Sequence, residues 1–277
     1  MTIQQLQRVF NSELSHLYPQ TEVDSFYYLM MESFFQLKRV DLALQSQQEI
    51  EIPKAFHEAL NKLTLQIPIQ YILGKTNFYG LDFSLNNNVL IPRPETEELV
   101  EWIINDIKNK NYSVIDIGTG SGCIAISVSK HSNANVTALD VSKEALEIAK
   151  KNALSNNTKI HFIEDDILKP LKDYPKYNII VSNPPYVRQL EKKEIQANVL
   201  QNEPHLALFV EDENPLIFYD AIANFALKHL REEGLLYFEI NQYLGKETVD
   251  LLKSKGFHKI ELKKDIFGND RMIKAQI

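Results

Sequence analysis

Cysteine is almost missing from this chain: Cys123 is the only one in 277 residues, which excludes internal disulfides and any Cys-based zinc site. Its place just behind a glycine-rich turn suits a small packing residue better than a nucleophile. The seven histidines show no ligand spacing, so no metal is expected. Glycine is scarce as well, with nine in all and none before Gly74, as befits a compact helical start. No apolar run approaches the ~20 residues that cross a bilayer. The N-terminus lacks a basic stretch followed by an apolar one, so neither a signal peptide nor a membrane partner is expected, and the expected location is cytoplasmic. Basic residues are not in excess either. A net charge of −7 argues against a broad, non-specific grip on nucleic acid, which needs clustered Lys and Arg, although a local basic groove is compatible with it. Internal repeats and low-complexity linkers are absent. What is present is a chain long enough for one large domain with an appendage, 44% hydrophobic and able to fill a core.

Residues 1–74 read as helices. Ile3, Leu6, Val9, Phe10, Leu14 and Leu17 recur at helical spacing, and a second helix over about 22–38 carries Phe26, Leu29, Met30, Phe34 and Leu37 on one side. A third, over about 53–64, opens with Pro53 in its first turn and turns Phe56, Leu60 and Leu63 inward. The aromatic stripe of this unit is read as core packing. The texture then changes. Residues 78–91 read as a β-hairpin, with strands over 78–85 and 89–91 and a turn at Asn86, Asn87 and Asn88, because asparagine tolerates the left-handed conformation. Pro94 and the acids after it open a helix that runs through Leu99, Trp102, Ile103 and Ile107.

From Tyr112 onward strand and helix alternate. Strands are predicted over 112–117, 135–139, 159–163, 177–181, 235–240, 257–262 and 272–275, with helices over 122–130, 143–152, 216–230 and 246–255. Repeated strand–helix units imply a parallel sheet with helices on both faces. The last two strands are joined by too short a connector for a parallel crossover, so an antiparallel final strand is expected. The expected fold is therefore α/β with a mostly parallel seven-stranded sheet, divided into a helical domain (1–74) and a hairpin with a catalytic domain (75–277).

Two loops at predicted strand ends carry chemistry, and the carboxyl end of such a sheet is where ligands bind. In the first, Asp116-Ile117-Gly118-Thr119-Gly120-Ser121-Gly122, the glycines permit tight turns and close approach of the backbone to a ligand. The spacing is G-x-G-x-G, not the dinucleotide G-x-G-x-x-G, and no Walker lysine follows. A helix N-terminus there suits a carboxylate, and the whole suits S-adenosylmethionine, which has a free amino-acid end and no pyrophosphate. Asp116 is placed to meet the ammonium group and Asp140 the ribose hydroxyls, while Asp165 and Asp166 could reach the adenine amino group. The second loop is Asn183-Pro184-Pro185-Tyr186. Asn183 can accept a hydrogen from a planar amino group, and the prolines present carbonyl acceptors on a stiff backbone. Pro184 also holds Asn183 extended, and Tyr186 offers a flat face for stacking. The pair of loops points to an NH2 attached to a π system, in an amide or a nucleobase.

The chain resembles the HemK/PrmC family from about Pro68 to its end. The resemblance is carried by Pro68-Ile69-Gln70-Tyr71-Ile72-Leu73-Gly74, Phe78-Tyr79-Gly80, Leu90-Ile91-Pro92-Arg93-Pro94-Glu95-Thr96-Glu97, the Gly118 loop, Asn183 to Tyr186, Glu203-Pro204-His205-Leu206-Ala207-Leu208, and Asp265 through Gly268 to Arg271. It implies a class I S-adenosylmethionine-dependent methyltransferase of Rossmann-like fold. The implied substrate is the glutamine of the Gly-Gly-Gln motif in class I peptide chain release factors, methylated on its side-chain amide. On the same resemblance Gly118, Thr119, Gly120, Ser121, Gly122, Asp140, Asp166 and Asn183 hold the cofactor, Ile167 gives it an apolar contact, and Asn183, Pro184, Pro185 and Tyr186 hold the glutamine. The helical domain would recognise the release factor, the protein would act as a monomer, and Asn241 stands where the family carries glycine. Two rivals fit the same loops: methylation of the adenine amino group in DNA or RNA, which shares the Asn-Pro-Pro-Tyr chemistry, and a non-catalytic cofactor-binding scaffold.

Overall fold

The computed structural model describes residues 1–108 and 110–277. The chain divides into two compact units: Met1–Gly74 with Ala197–Asn202, and Lys75–Gln196 with Glu203–Ile277.

The first unit contains α1 (Ile3–Leu14), α2 (Gln20–Phe35), α3 (Arg39–Leu44), α4 (Lys54–Thr64) and α5 (Ile69–Leu73). Thr2 starts α1 with a capping box, exchanging bonds with Gln5 and satisfying donors that a helix start leaves open. The core is Phe10, Leu14, Val23, Tyr27, Met30, Phe56 and Leu63, all buried, and each such side chain contributes on the order of 1.5–3 kcal/mol. The predicted stripes overreach: Val9 and Leu29 are exposed, while Tyr27 and Met31 are buried in their stead. α2 stops at Phe35 because Gln36 turns left-handed (φ 59°). Pro53 is the cap of α4 and does not lie in its first turn.

The second unit opens with a hairpin, β1 (Lys75–Phe78) and β2 (Leu81–Ser84), and α6 (Pro94–Ile107). The predicted hairpin turn at Asn86–Asn88 is corrected here. The chain reverses at Tyr79 and Gly80, whose φ values of 50° and 74° meet the demand of a two-residue turn for two left-handed residues. Asn86 makes a separate local turn, accepting from Val89 N and Asn88 N, and 89–91 form no strand.

Then follow β3 (Ser113–Ile117), α7 (Cys123–His131), β4 (Asn135–Asp140), α8 (Lys143–Ser155), β5 (Ile160–Glu164) and β6 (Tyr177–Ser182). The segment 187–210 contains β7 (Val187–Arg188), a 3₁₀ turn (Gln189–Glu194), α9 (Ala197–Asn202), α10 (His205–Leu208) and β8 (Phe209–Val210), pieces too short for hydrophobic periodicity to show. The chain closes with α11 (Ile217–His229), β9 (Leu230–Glu239), α12 (Gly245–Ser254), β10 (His258–Lys264) and β11 (Asp270–Gln276).

The seven-stranded sheet runs β10-β11-β9-β6-β3-β4-β5, parallel except for β11, which is antiparallel to both of its neighbours. Alternation along β3 divides the core: Val114 joins the cluster on one face, Ile115 and Ile117 the cluster on the other. Strand order reverses at β3, which has β4 on one side and β6 on the other. Helices leave such strands in opposite directions, and a crevice opens at their carboxyl ends.

Candidate active site

A cavity of about 390 Å³ occupies that crevice, within the range of small-molecule sites. Its wall includes Gly118–Ser121 after β3, Asp140 and Val141 at the end of β4, Asp165, Asp166 and Ile167 after β5, and Asn183, Pro184 and Pro185 after β6. The glycine loop and the Asn-Pro-Pro corner, separated by more than sixty residues of chain, thus face one space because β3 and β6 are paired neighbours.

The glycine loop is held by its own chain. Gly118 N and Thr119 N donate to Leu139 O (2.8 and 3.0 Å), Gly120 N to Asp140 Oδ2 (2.8 Å), and Gly122 N to Thr119 O (2.8 Å). A Cβ at Gly118 or Gly120 would meet nothing within 4 Å, so these two positions leave their space to a ligand. Gly122 does different work from that expected of it. It lies outside the cavity wall, and a Cβ there would sit 2.9 Å from Ile126 Cδ1 and 3.1 Å from the Ala149 Cβ, so its bareness lets α7 and α8 come together. Asn152 of α8, fully buried, then ties the pieces: its Oδ1 accepts from Ser84 N (2.7 Å), and its Nδ2 donates to Ser84 O (3.1 Å) and Ser121 O (2.9 Å).

The acids separate by role. Asp140 accepts from Gly120 N and from Ser142 N (2.9 Å), and burial pushes its carboxyl up despite those bonds. Asp166 takes Leu168 N on Oδ1 (2.9 Å). Asp165 lines the cavity beside it and is also braced by its own loop: it accepts from Asp166 N, Leu171 N, Lys172 N and the Tyr174 hydroxyl (2.6 Å). Burial pushes Asp165 up, but those donors outweigh it and hold the carboxyl below its ordinary range.

Asp116 lies behind the cavity wall, fully buried, with Oδ2 accepting from Thr119 Oγ1 (2.6 Å) and Oδ1 without a partner among the described residues. Burial pushes its carboxyl up to about 7, against the pull of the Thr119 bond. An aspartate of an unfolded chain titrates near 3.8. Below that pH the group is protonated in both states and costs nothing. As pH rises from about 4 to about 7 the folded chain keeps a proton that the unfolded chain gives up, so stability falls through this window. Asp116→Asn abolishes the titration, and its stability relative to the parent should improve by roughly 2–3 kcal/mol between pH 5 and pH 8. Urea unfolding at both pH values measures the difference, and a pH-independent gap would rule out the buried-carboxyl account.

Asn183 and Pro184 stand at the cavity as the sequence implies, but Tyr186 does not. Its half-buried ring packs on the apolar cluster that contains Ile117, Leu139 and Ile167, and its hydroxyl donates to Glu239 Oε1 (3.2 Å). Glu239, at the end of β9, is buried and also accepts from Thr96 Oγ1 (2.6 Å). Burial pushes its carboxyl up, opposed by the Thr96 bond and the nearby Arg271 charge. Sequence reasoning did not single out Thr96 or Glu239 for a role. The available signal was an acid ending the apolar run Leu235–Phe238 at the same sheet edge as the other acids. Asn241, in place of the family's glycine, does not take a positive φ. It serves as a staple instead, with Nδ2 donating to Tyr186 O (3.0 Å) and Glu191 Oε2 (2.8 Å). Arg93, on the cavity wall, pairs with the buried Glu203 at 2.7 Å and so fixes the segment that brings Pro204, Leu206 and Ala207 to the wall. No group of three or more His, Cys, Asp or Glu side chains that could hold a metal occurs among the described residues. No helix there is long and apolar enough to cross a membrane.

The fold and the cavity define an S-adenosylmethionine-dependent methyltransferase, and the family model described as Methyltransferase small domain matches residues 96–207. Solved structures agree on the fold: a methyltransferase from Pyrococcus furiosus superposes with a TM-score of 0.52 at 18% identity, covering 72% of this chain and 90% of its own. A 16S rRNA methyltransferase of T. thermophilus, solved in complex with AdoMet and guanosine, gives 0.53 at 19% identity over 73% of this chain and 49% of its own. The chain belongs to the release factor glutamine methyltransferase family. It is 53% identical to the member from Flavobacterium psychrophilum over 99% of both chains, and 40% identical to that from Streptococcus pneumoniae over 99% of this chain and 98% of the other.

Proposed function

We infer that this enzyme methylates the side-chain amide nitrogen of the glutamine in the Gly-Gly-Gln motif of class I release factors, gripping that amide with the Asn183 side-chain oxygen and the Pro184 carbonyl. The observation that carries the reading is the shared cavity: Asn183, Pro184 and Pro185 form one part of its wall, and Gly118–Ser121, Asp140 and Asp166 another. The residues fit S-adenosylmethionine. Open space at Gly118 and Gly120 would take its amino-acid end, Asp140 would hold vicinal hydroxyls, and Asp166 and Ile167 would hold the purine. Bound there, it supplies an electrophilic methyl group on a sulfonium.

An amide nitrogen is a weak nucleophile because its lone pair is shared with the carbonyl. Two oxygen acceptors on its hydrogens orient the nitrogen and favour the positive charge that grows on it during transfer, as preorganised dipoles do. Pro184 and Pro185 keep those acceptors fixed, so little reorganisation is needed at the moment of reaction. The nitrogen then loses one proton to water. A cytoplasmic monomer that acts on the release factor protein without holding nucleic acid accords with the acidic net charge.

Labelled S-adenosylmethionine supplied with a release factor, its Gly-Gly-Ala variant or duplex DNA tests the reading. Label is expected in the first alone. Label in DNA would establish the adenine rival, and label in none the scaffold.

A further inference from the structure

Asn183 carries a donor and an acceptor that exchange places on a half-turn of the side-chain amide, and only one orientation presents the oxygen to a substrate NH2. The structure contains the parts that choose between them. Asn183 Nδ2 lies 3.5 Å from Thr96 Oγ1, and that same Oγ1 lies 2.6 Å from the buried Glu239 Oε2. A hydroxyl has a single hydrogen, and an ionised carboxylate only accepts. With Glu239 ionised, as the Arg271 charge and the Thr96 and Tyr186 bonds favour against burial, the hydrogen between Thr96 and Glu239 is Thr96's own, and it is committed. What Thr96 turns toward Asn183 is a lone pair. A lone pair can be met by the amide NH2 but not by the amide oxygen, so Oδ1 is left for the cavity. Glu239 is itself held for this purpose from its other side, where Tyr186 donates to Oε1 (3.2 Å) and Arg271 contributes positive charge. Two hydroxyls donating to its two oxygens is the pattern an ionised carboxylate takes.

We propose that Thr96 and Glu239 are positioning residues that set the hydrogen-bond polarity of Asn183, so that its side-chain oxygen faces the substrate amide. The proposal rests on the reading of Asn183 as the acceptor of that amide. A flipped Asn183 would put oxygen against oxygen at Thr96 and NH2 against NH2 at the substrate. Thr96→Val keeps the shape of the side chain and removes the hydroxyl, whereas Thr96→Ser keeps the hydroxyl.

The experiment measures, for the full chain acting on a release factor, kcat, KM for the release factor and the dissociation constant for S-adenosylmethionine, with near-ultraviolet circular dichroism confirming the folded state. The expected result is a fall in kcat of about tenfold or more for Thr96→Val, the worth of one hydrogen bond in the transition state, with cofactor affinity within about twofold of the parent. Thr96→Ser should restore kcat to within about threefold of the parent. A Val variant that keeps kcat within about threefold, or a Ser variant as slow as the Val variant, overturns the proposal, the second because it would assign the effect to packing. If Thr96→Val fails to fold, Thr96→Ala takes its place, since it too removes the hydroxyl, and the proposal then requires Thr96→Ala to lose kcat about tenfold while Thr96→Ser does not. Asn183→Ala assayed alongside separates the two layers. If it turns over normally, the acceptor reading of Asn183 fails; if it is inactive while Thr96→Val is not, only the polarity lock fails.

Discussion

Asn183→Ala is expected to reduce turnover by about 10²–10³-fold, the cost of losing one preorganised acceptor aimed at developing charge. The site keeps its shape in this variant, because Pro184 and Pro185 still line the cavity and β6 still pairs with β3 through Ser182. S-adenosylmethionine should consequently bind within several-fold of its parental affinity, since Asp140, Asp166 and the glycine loop are untouched. The separation of the two effects is what the measurement must show. Calorimetry gives the affinity, and single-turnover transfer of labelled methyl to a release factor gives the chemical step. A variant with parental turnover would remove Asn183 from the reaction, and one that loses both properties equally would make it a structural residue.

Asp140→Ala should act on the other ligand. Its carboxylate accepts from Gly120 N and Ser142 N, and the same group lines the cavity where vicinal hydroxyls would arrive. Truncation leaves two backbone donors unpaired and withdraws the acceptor from the ligand. Affinity for S-adenosylmethionine is expected to fall about 100-fold, or about 2.7 kcal/mol. Asp140→Asn should recover little of this, because its NH2 must oppose one of the two N–H donors. Binding that survives either change unaltered would show that the loop after β4 is not the ribose site.

The parts of the molecule that were legible in the sequence are those where one residue type answers one physical demand. The parallel sheet was legible because β3, β4 and β6 are short apolar runs buried on both faces, with a helix directly after β3 and after β4. The antiparallel last strand followed from the length of a connector alone. Asn183, Asp140 and the glycine loop were legible because strand ends and loops at a switch point face a ligand. The hairpin turn was misplaced because three asparagines outweighed Tyr79-Gly80 in the reading; Tyr79 is bulky, yet it is held left-handed with its N–H on Glu97 Oε1 at 2.7 Å. A hydrogen bond to a β-turn from a partner 18 residues away is a tertiary effect that local chemistry does not show. Tyr186 was underdetermined for the same reason. Its ring was equally suited to a ligand or a core, and the decision lay with Glu239, fifty-three residues onward. Asp165 and Asp166 are adjacent and identical in type and both line the cavity, and only the course of the loop after β5 loads Asp165 with donors from Asp166, Leu171, Lys172 and Tyr174 while Asp166 takes Leu168 N.

Asn152 makes one mechanical piece out of parts that could have moved separately. Its single buried amide grips the end of the β1–β2 hairpin at Ser84 and the glycine loop at Ser121. Whatever stiffens the loop from the cavity side therefore also withdraws freedom from the hairpin, and the link runs equally in the opposite direction. The hairpin is thus more than a connector: it is a handle on the cofactor loop, with a side chain that never touches solvent as the joint.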